Sequence, residues 1–401
     1  MGTRAGLPYS AGPDAVAGAS QDGQVSTSCS QLHQRSGEPT MHSVNPRARL
    51  LRAALLSWML AAGQAVAAAA PPLPALGADP RQNTVSGLSS GAFMAAQYSV
   101  TYSASVAGAG IVAGGPFYCA GLNKLGGADR FMMTASNQCM RPQGAAPSGA
   151  AAWKEAQQFA SQGLIDPVDN IKRQRLYIFT GASDSVVYPK VVAQTRTFYQ
   201  SAGVPVSQIR YVDNVNAGHA LLTSNPGDEA CPVNVSPAAG STKTNLNNCG
   251  FMQSQEILRQ LYGTLKPPAA RLSGELLDFD QTEFAGGRYT GLSDIGHVYI
   301  PADCRKQSCR VHVVFHGCTQ EDSRIGNRYY TSTGFNEMAD RNRIVVLYPQ
   351  IRTDPKRNPQ GCWDFWGYSS KNPSNPDYYT KNAPQLSAIR AMVERLDSPR
   401  P

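Results

Sequence analysis

From Asn83 onward, apolar residues fall into two alternating kinds of segment. Short apolar runs predict strands at Thr84–Gly87, Gly110–Val112, Leu176–Thr180, Ile209–Val212, Val298–Ile300, Val311–Phe315 and Ile344–Tyr348. Several are continuous, without polar alternation, as in strands buried on both faces of a parallel sheet. Longer segments between them predict helices at Ser90–Ser99, Ala150–Gln162, Val191–Ser201, Gln253–Leu261 and Gln385–Leu396. Such alternation predicts an α/β fold: a mostly parallel central sheet with helices on both faces. Two stretches are less regular. Residues 213–250, rich in Pro, Gly and Asn with two cysteines, read as a stapled surface excursion. Residues 264–290, around Leu265-Lys266-Pro267-Pro268, read as a linker between two halves. No internal repeat interrupts residues 71–401, which are expected to form a single domain with long loops.

The N-terminal segment has a different pattern. Residues 1–40 are rich in Gly, Ser and Gln and lack apolar periodicity. After Met41 come Arg47, Arg49 and Arg52, an apolar stretch Ala53–Ala62, and small residues to Ala70. Ala65-Val66-Ala67 fits a small-x-small cleavage site, so residues 41–70 read as a secretory signal peptide. The apolar run is too short for a membrane span and is broken by Gly63 and Gln64. The expectation is a secreted or periplasmic protein with no membrane anchor after cleavage. Met41 is then the start, and residues 1–40 are an upstream misreading or a disordered extension.

Composition supports a folded, exported chain. Of 401 residues, 42% are hydrophobic and only 16% charged, which excludes a disordered chain. Nine cysteines are present, and only Cys29 precedes the cleavage site. The even remainder suggests up to four disulfides in an oxidising compartment. Sequence closeness favours Cys304–Cys309, Cys231–Cys249 and Cys119–Cys139, leaving Cys318–Cys362; this is one of roughly a hundred pairings. There is no CxxC and no histidine pair at ligand spacing, so a metal site is not expected. The formal charge of +8 is scattered without a dense Lys/Arg run, which gives nucleic-acid binding no support.

Candidate chemistry begins at VSGLSSGAF, residues 85–93. Ser89 stands in G-x-S-x-G between a predicted strand and a predicted helix, where the motif lifts a serine hydroxyl out of a sharp turn. A plain strand-to-helix turn is the alternative reading. A serine nucleophile needs a base, and the base needs an orienting acid. Four histidines follow the cleavage site. His312 lies within a strand, where packing explains it, and His297 opens another. His219, in NVNAGHALLT beyond the strand-like IRYV, is the candidate base. Asp184, in LYIFTGASDSVVYP, is the candidate acid. The order Ser89, Asp184, His219 is that of α/β-hydrolases. The N–H after the nucleophile, that of Ser90, is the first oxyanion donor. A second would come from an HG-type loop, and VHVVFHGCTQ (311–320) supplies one late in the chain. That displacement makes sense for a circularly permuted hydrolase, with His316 shaping the loop and the Cys318 N–H aimed at the oxyanion.

Together these stretches resemble the poly(3-hydroxybutyrate) depolymerases whose lipase-box serine lies near the mature N-terminus. The matching pieces are VSGLSSGAFMAAQ, the Asp184 loop, NAGHAL, VVFHGC and NPQGCWDFWGY, spanning about residues 83–370. The resemblance implies a circularly permuted α/β-hydrolase with Ser89 as nucleophile, His219 as base, Asp184 as its partner, and Ser90 and Cys318 as oxyanion donors. The expected partner is a polyester or oligomeric 3-hydroxybutyrate, hydrolysed by a monomer without metal or organic cofactor. Many secreted members carry a linker and polymer-binding module; none is expected here, which points to amorphous polymer or oligomers. In NPQGCWDFWGY, Trp363, Phe365, Trp366 and Tyr368 either anchor the core or wall the site for methyl-bearing repeat units. On the second reading Trp363 and Trp366 contact substrate, and a Cys318–Cys362 bridge ties them to the oxyanion loop. Rival readings are a feruloyl or acetyl-xylan carboxylesterase and a silent binding protein on the same scaffold.

Overall fold

The Val/Ile/Leu runs form the middle of one twisted sheet. The computed structural model describes residues 70–127, 129–235 and 243–401. The expected extension and signal peptide, up to residue 69, lie outside them, as does Cys29. In chain order the main elements are β1 (Asn83–Leu88), α1 (Ser90–Thr101), β2 (Val106–Val112), α2 (Gly149–Ser161), β3 (Arg175–Phe179), α3 (Pro189–Ser201) and β4 (Ile209–Val212). Then come β5 (Leu221–Thr223), β6 (Glu229–Ala230), β7 (Leu246–Asn248), α4 (Gln253–Tyr262), β8 (Glu275–Asp280) and β9 (Ile295–Ile300). The chain finishes with β10 (Arg310–Phe315), α5 (Phe335–Asn342), β11 (Ile344–Tyr348) and α6 (Pro384–Asp397).

Eight strands form the sheet in the order β4-β3-β2-β1-β10-β11-β9-β8. The six from β4 to β11 run parallel, and β9 and β8 add an antiparallel pair at one edge. Alternate side chains feed two cores. Val85, Ile111, Ile178 and Val313 pack on one face with α1, α2, α3 and α6. Tyr177, Phe179, Val314 and Val346 pack on the other with α4 and α5. Burial on both sides is why several of these strands, such as β10 and β11, are largely apolar without strict alternation.

The sequence reading misjudged two stretches. Residues 264–290 are not a linker, because they contain β8, which pairs with β9 from Glu275 opposite Ile300 to Asp280 opposite Ile295. As an edge strand with exposed Glu275 and Asp278, it carries no continuous apolar run. β2 begins at Val106, earlier than expected, because VAGAGIV hides a strand behind small residues. The glycines there serve packing: a Cβ on Gly110 would lie 2.7 Å from Ile257 of α4. The 213–250 excursion holds a second sheet, β5-β7-β6, beside the Cys231–Cys249 disulfide.

His312 ties β10 to β1 in the wholly buried centre. Its Nδ1 is hydrogen-bonded to the Thr84 hydroxyl (2.7 Å) and its Nε2 to that of Ser86 (2.8 Å). Burial pushes its pKa down to about 3, so the ring is neutral. Removing it leaves a cavity and stranded hydroxyls, so His312→Ala should cost about 3 kcal/mol in urea unfolding at pH 7.5. Because the folded pKa lies below the unfolded 6.5, the contribution is full above 6.5 and is lost as pH falls toward 3. The gap between wild type and variant should therefore narrow across that window.

Candidate active site

Each candidate side chain sits just beyond the C-terminal end of a parallel strand. Ser89 follows β1, Asp184 follows β3, His219 follows β4, and Cys318 follows β10. With β4, β3, β2, β1 and β10 adjacent and parallel, all four emerge along one edge of the sheet, which is where open α/β sheets place their sites.

Ser89 has φ 57° and ψ −122°, a conformation rarely adopted by a non-glycine residue. Its N–H donates to the Val112 carbonyl (2.9 Å), while its own carbonyl accepts from Ala92 and Phe93 and starts α1. The flanking glycines are required by contact. A Cβ on Gly87 would lie 2.3 Å from the Gly91 carbonyl oxygen, and one on Gly91 2.3 Å from that of Phe315.

The candidate acid and base are joined. His219 Nδ1 is 2.8 Å from Asp184 Oδ2, and both side chains are almost wholly buried. The other carboxylate oxygen accepts from the Val186 and Val187 N–H groups at 2.8 and 3.0 Å, which fixes the carboxylate. An Nδ1–H donated to the aspartate leaves Nε2 as the basic nitrogen. Among the described residues neither Ser89 Oγ nor His219 Nε2 has a protein hydrogen-bond partner.

Sequence reasoning missed Asn234. Its Oδ1 accepts from the His219 and Ser185 N–H groups (both 3.0 Å), and its Nδ2 donates to the Ser183 carbonyl (2.7 Å). One amide thus clips the loop bearing Asp184 to the loop bearing His219. Nothing marks it in the sequence, because it lies in the irregular excursion.

The HGC loop closes over the serine turn. His316 Nδ1–H donates to the Gly317 carbonyl (2.7 Å) and Nε2 accepts from the Ile351 N–H (3.2 Å). Burial pushes its pKa down to about 4, so it stays neutral. A Cβ on Gly317 would stand 3.3 Å from the Ser89 Cβ, which shows how closely the loop passes. All four disulfides join the pairs named above: Cys119–Cys139, Cys231–Cys249, Cys304–Cys309 and Cys318–Cys362.

The aromatic loop differs from the wall reading. The Trp363 side chain is wholly buried, packed edge-on against Phe315 (4.9 Å) and beside His316 (5.6 Å). It presents no open wall here; large flat rings earn most by burial. Its backbone N–H donates to Ser90 Oγ (3.2 Å). Asp364 shapes the loop, accepting from the N–H groups of Trp366, Gly367, Tyr368 and Ser369 and from the Ser369 hydroxyl. Trp366 is only partly buried and lines a cavity.

A mostly parallel sheet with helices on both faces, carrying a strained serine turn and an aspartate-bound histidine beyond the carboxyl ends of its strands, is the architecture of an α/β-hydrolase. The chain belongs to the poly(3-hydroxybutyrate) depolymerase family. It is 34% identical over 366 residues to a polyhydroxybutyrate depolymerase of Talaromyces funiculosus, covering 86% of this chain and 97% of that protein. It is 40% identical over 332 residues to a poly(3-hydroxybutyrate) depolymerase of Delftia acidovorans, covering 81% of this chain and 62% of that longer protein. The solved PHB depolymerase from Penicillium funiculosum superposes with a TM-score of 0.70 at 30% identity, over 81% of this chain and 98% of that one. A PHB depolymerase serine-to-alanine variant complexed with an R3HB trimer gives 0.71 at 31% identity, with the same coverage. No family model matches the chain.

One buried carboxyl beside the HGC loop is exposed to pH. Glu321 is wholly buried, neither of its oxygens has a hydrogen-bond partner among the described residues, and its nearest cation is Arg324 Nε at 3.3 Å. Desolvation pushes its pKa up to about 7 from 4.5. The fold therefore favours the neutral acid: this contribution is full below 4.5 and lost as pH rises through 7. Glu321→Gln should raise the melting temperature by roughly 5 °C at pH 8 and leave it unchanged at pH 4.5, measured by scanning calorimetry.

Proposed function

We propose that the chain hydrolyses ester bonds of poly(3-hydroxybutyrate) or its oligomers through an acyl-enzyme. The observation that carries this reading is the Asp184–His219 pair, 2.8 Å apart, on the sheet edge where the strained Ser89 turn also ends. His219 Nε2 takes the Ser89 proton, and Oγ attacks the ester carbonyl. The Ser90 and Cys318 N–H groups hold the resulting oxyanion. Collapse of that adduct expels the alcohol end of one repeat unit, which receives the proton from His219. Water then enters by the same route in reverse, freeing a carboxylic acid and Ser89. Asp184 holds the imidazole in the tautomer with Nδ1–H toward the carboxylate.

The strand order supports a circular permutation. Read from the edge as β8-β9-β11-β10-β1-β2-β3-β4, the sheet has its antiparallel strands and HG loop ahead of the nucleophile strand in space, although they follow it in sequence. Residues 71–401 are read as one catalytic domain acting as a monomer, preceded by a signal peptide at 41–70. Four disulfides support secretion or periplasmic residence. Among the described residues no helix is long and apolar enough to cross a membrane.

Ser89→Ala should lower release of soluble 3-hydroxybutyrate units from amorphous polymer by at least about 10⁴-fold, and Asp184→Asn by a comparable factor, with circular dichroism unchanged. Near-wild-type release by Ser89→Ala would refute the assignment. Release of ferulate or acetate from xylan in place of polyester clearing would favour the carbohydrate-esterase reading.

A further inference from the structure

A cavity of about 550 Å³ opens beside the aromatic loop, and none of Ser89, Ser90, Asp184, His219 and Cys318 lines it. Its volume is within the range of small-molecule sites. Phe131, Met132, Tyr289 and Trp366 give it an apolar lining. Met132 is 51% exposed, so its apolar side chain is accessible to a ligand in the cavity.

Charge in this cavity is one-sided. Arg288, Arg357 and Lys371 line it against a single carboxylate, Asp129. Arg288 is held by neutral acceptors, the Asn382 carbonyl (3.0 Å) and the Ser387 hydroxyl (2.5 Å), so its charge is oriented without being neutralised there. The Arg357 guanidinium lies 4.4 Å over the Tyr289 ring. The neighbouring Asp354 carboxylate, outside the lining, accepts from the Tyr289 hydroxyl and from the Lys356 and Arg357 N–H groups, and its charge also acts on the Arg357 guanidinium, leaving Arg288 and Lys371 as the cations it does not offset. Lys371 is exposed. A ligand with an apolar body and an anionic end matches this lining.

Cleaving an ester with water makes one hydroxyl end and one carboxylic acid end, so each cut of a neutral polyester creates that combination. We propose that this cavity is a second binding site, for carboxylate-terminated 3-hydroxyalkanoate oligomers. The methyl-bearing chain lies against Trp366, Tyr289 and Met132, and the carboxylate meets Arg357 and Lys371. The proposal rests on the polyester reading of the catalytic site. It also gives Trp366 a substrate contact outside the catalytic centre.

The test is calorimetric titration of the Ser89→Ala protein with the 3-hydroxybutyrate trimer as free acid and as its methyl ester. The free acid should occupy two sites and the ester one. The additional Arg357→Gln/Lys371→Gln pair should weaken the acid-specific site at least tenfold and leave ester binding unchanged. In the Ser89 protein, that pair should not alter kcat/KM on a soluble short-chain chromogenic ester. One-site binding by both ligands, or two sites unaffected by the charge substitutions, would overturn the second site alone. Absence of binding by either ligand would overturn the polyester reading with it.

Discussion

The Ser89 turn and the end of β10 share a space too tight for any side chain beyond hydrogen, and the rest of the site follows from that crowding. Gly91 faces the carbonyls of Phe315 and His316, and its hypothetical Cβ would lie 2.3 and 2.4 Å from their oxygens. The turn can therefore be built only with β10 beside β1, in the register that sets Gly87 opposite Phe315. Once β10 is there, the chain leaving it as His316-Gly317-Cys318 has to pass over Ser89. The Ser89 turn and the HGC loop are thus one packing unit, although they lie far apart in sequence. His312, hydrogen-bonded to both Thr84 and Ser86, fixes the same pair of strands from within the sheet.

The HGC loop is then tied down from its far side. Cys318 is bonded to Cys362, the Thr319 N–H donates to the Gln360 carbonyl (2.7 Å), and Arg324 donates to the Pro359 carbonyl (3.1 Å). The next residue along, Trp363, returns to the serine turn through its N–H to Ser90 Oγ. The circuit runs from Ser90 through Trp363 and Cys362 to Cys318 and back over Ser89. In it the Trp363 ring is a wedge against Phe315 and His316, while its backbone makes the connection to the site.

This architecture explains what could be read from the sequence. The buried strands show themselves because burial on both faces demands uninterrupted apolar runs, as in IVVLY of β11. Ser89, Asp184 and His219 were legible as candidates because each follows a short strand-like segment, and because glycines mark Ser89 and His219 as tight approaches. A Cβ on Gly218 would lie 2.0 Å from the Val233 carbonyl oxygen. β8 was not legible, since an edge strand can be polar on its exposed face. Asn234 was not, because its role is a set of three hydrogen bonds to residues brought near only by the fold. The burial of the Trp363 ring could not be chosen over the wall reading for a related reason: an aromatic cluster has the same composition whether it faces inward or outward.

Oxyanion stabilisation works only when the donors are in place before charge develops. On the proposed reading Ser90 opens α1, but Asp184, His219 and Cys318 lie on loops, where regular secondary structure supplies little stiffness. The His219 side is held by the Asn234 clip and, through the Gly218 N–H on the Cys231 carbonyl (2.8 Å), by the loop that the Cys231–Cys249 disulfide closes. The Cys318 side is held by its own disulfide. Each half of the site therefore has one covalent brace, positioned where the strands end and backbone ladders no longer constrain the chain. Restricting those loops lowers the entropy lost on ordering them. The strained φ of Ser89 can then be maintained by its surroundings, with the turn held between two braced loops and the end of β10.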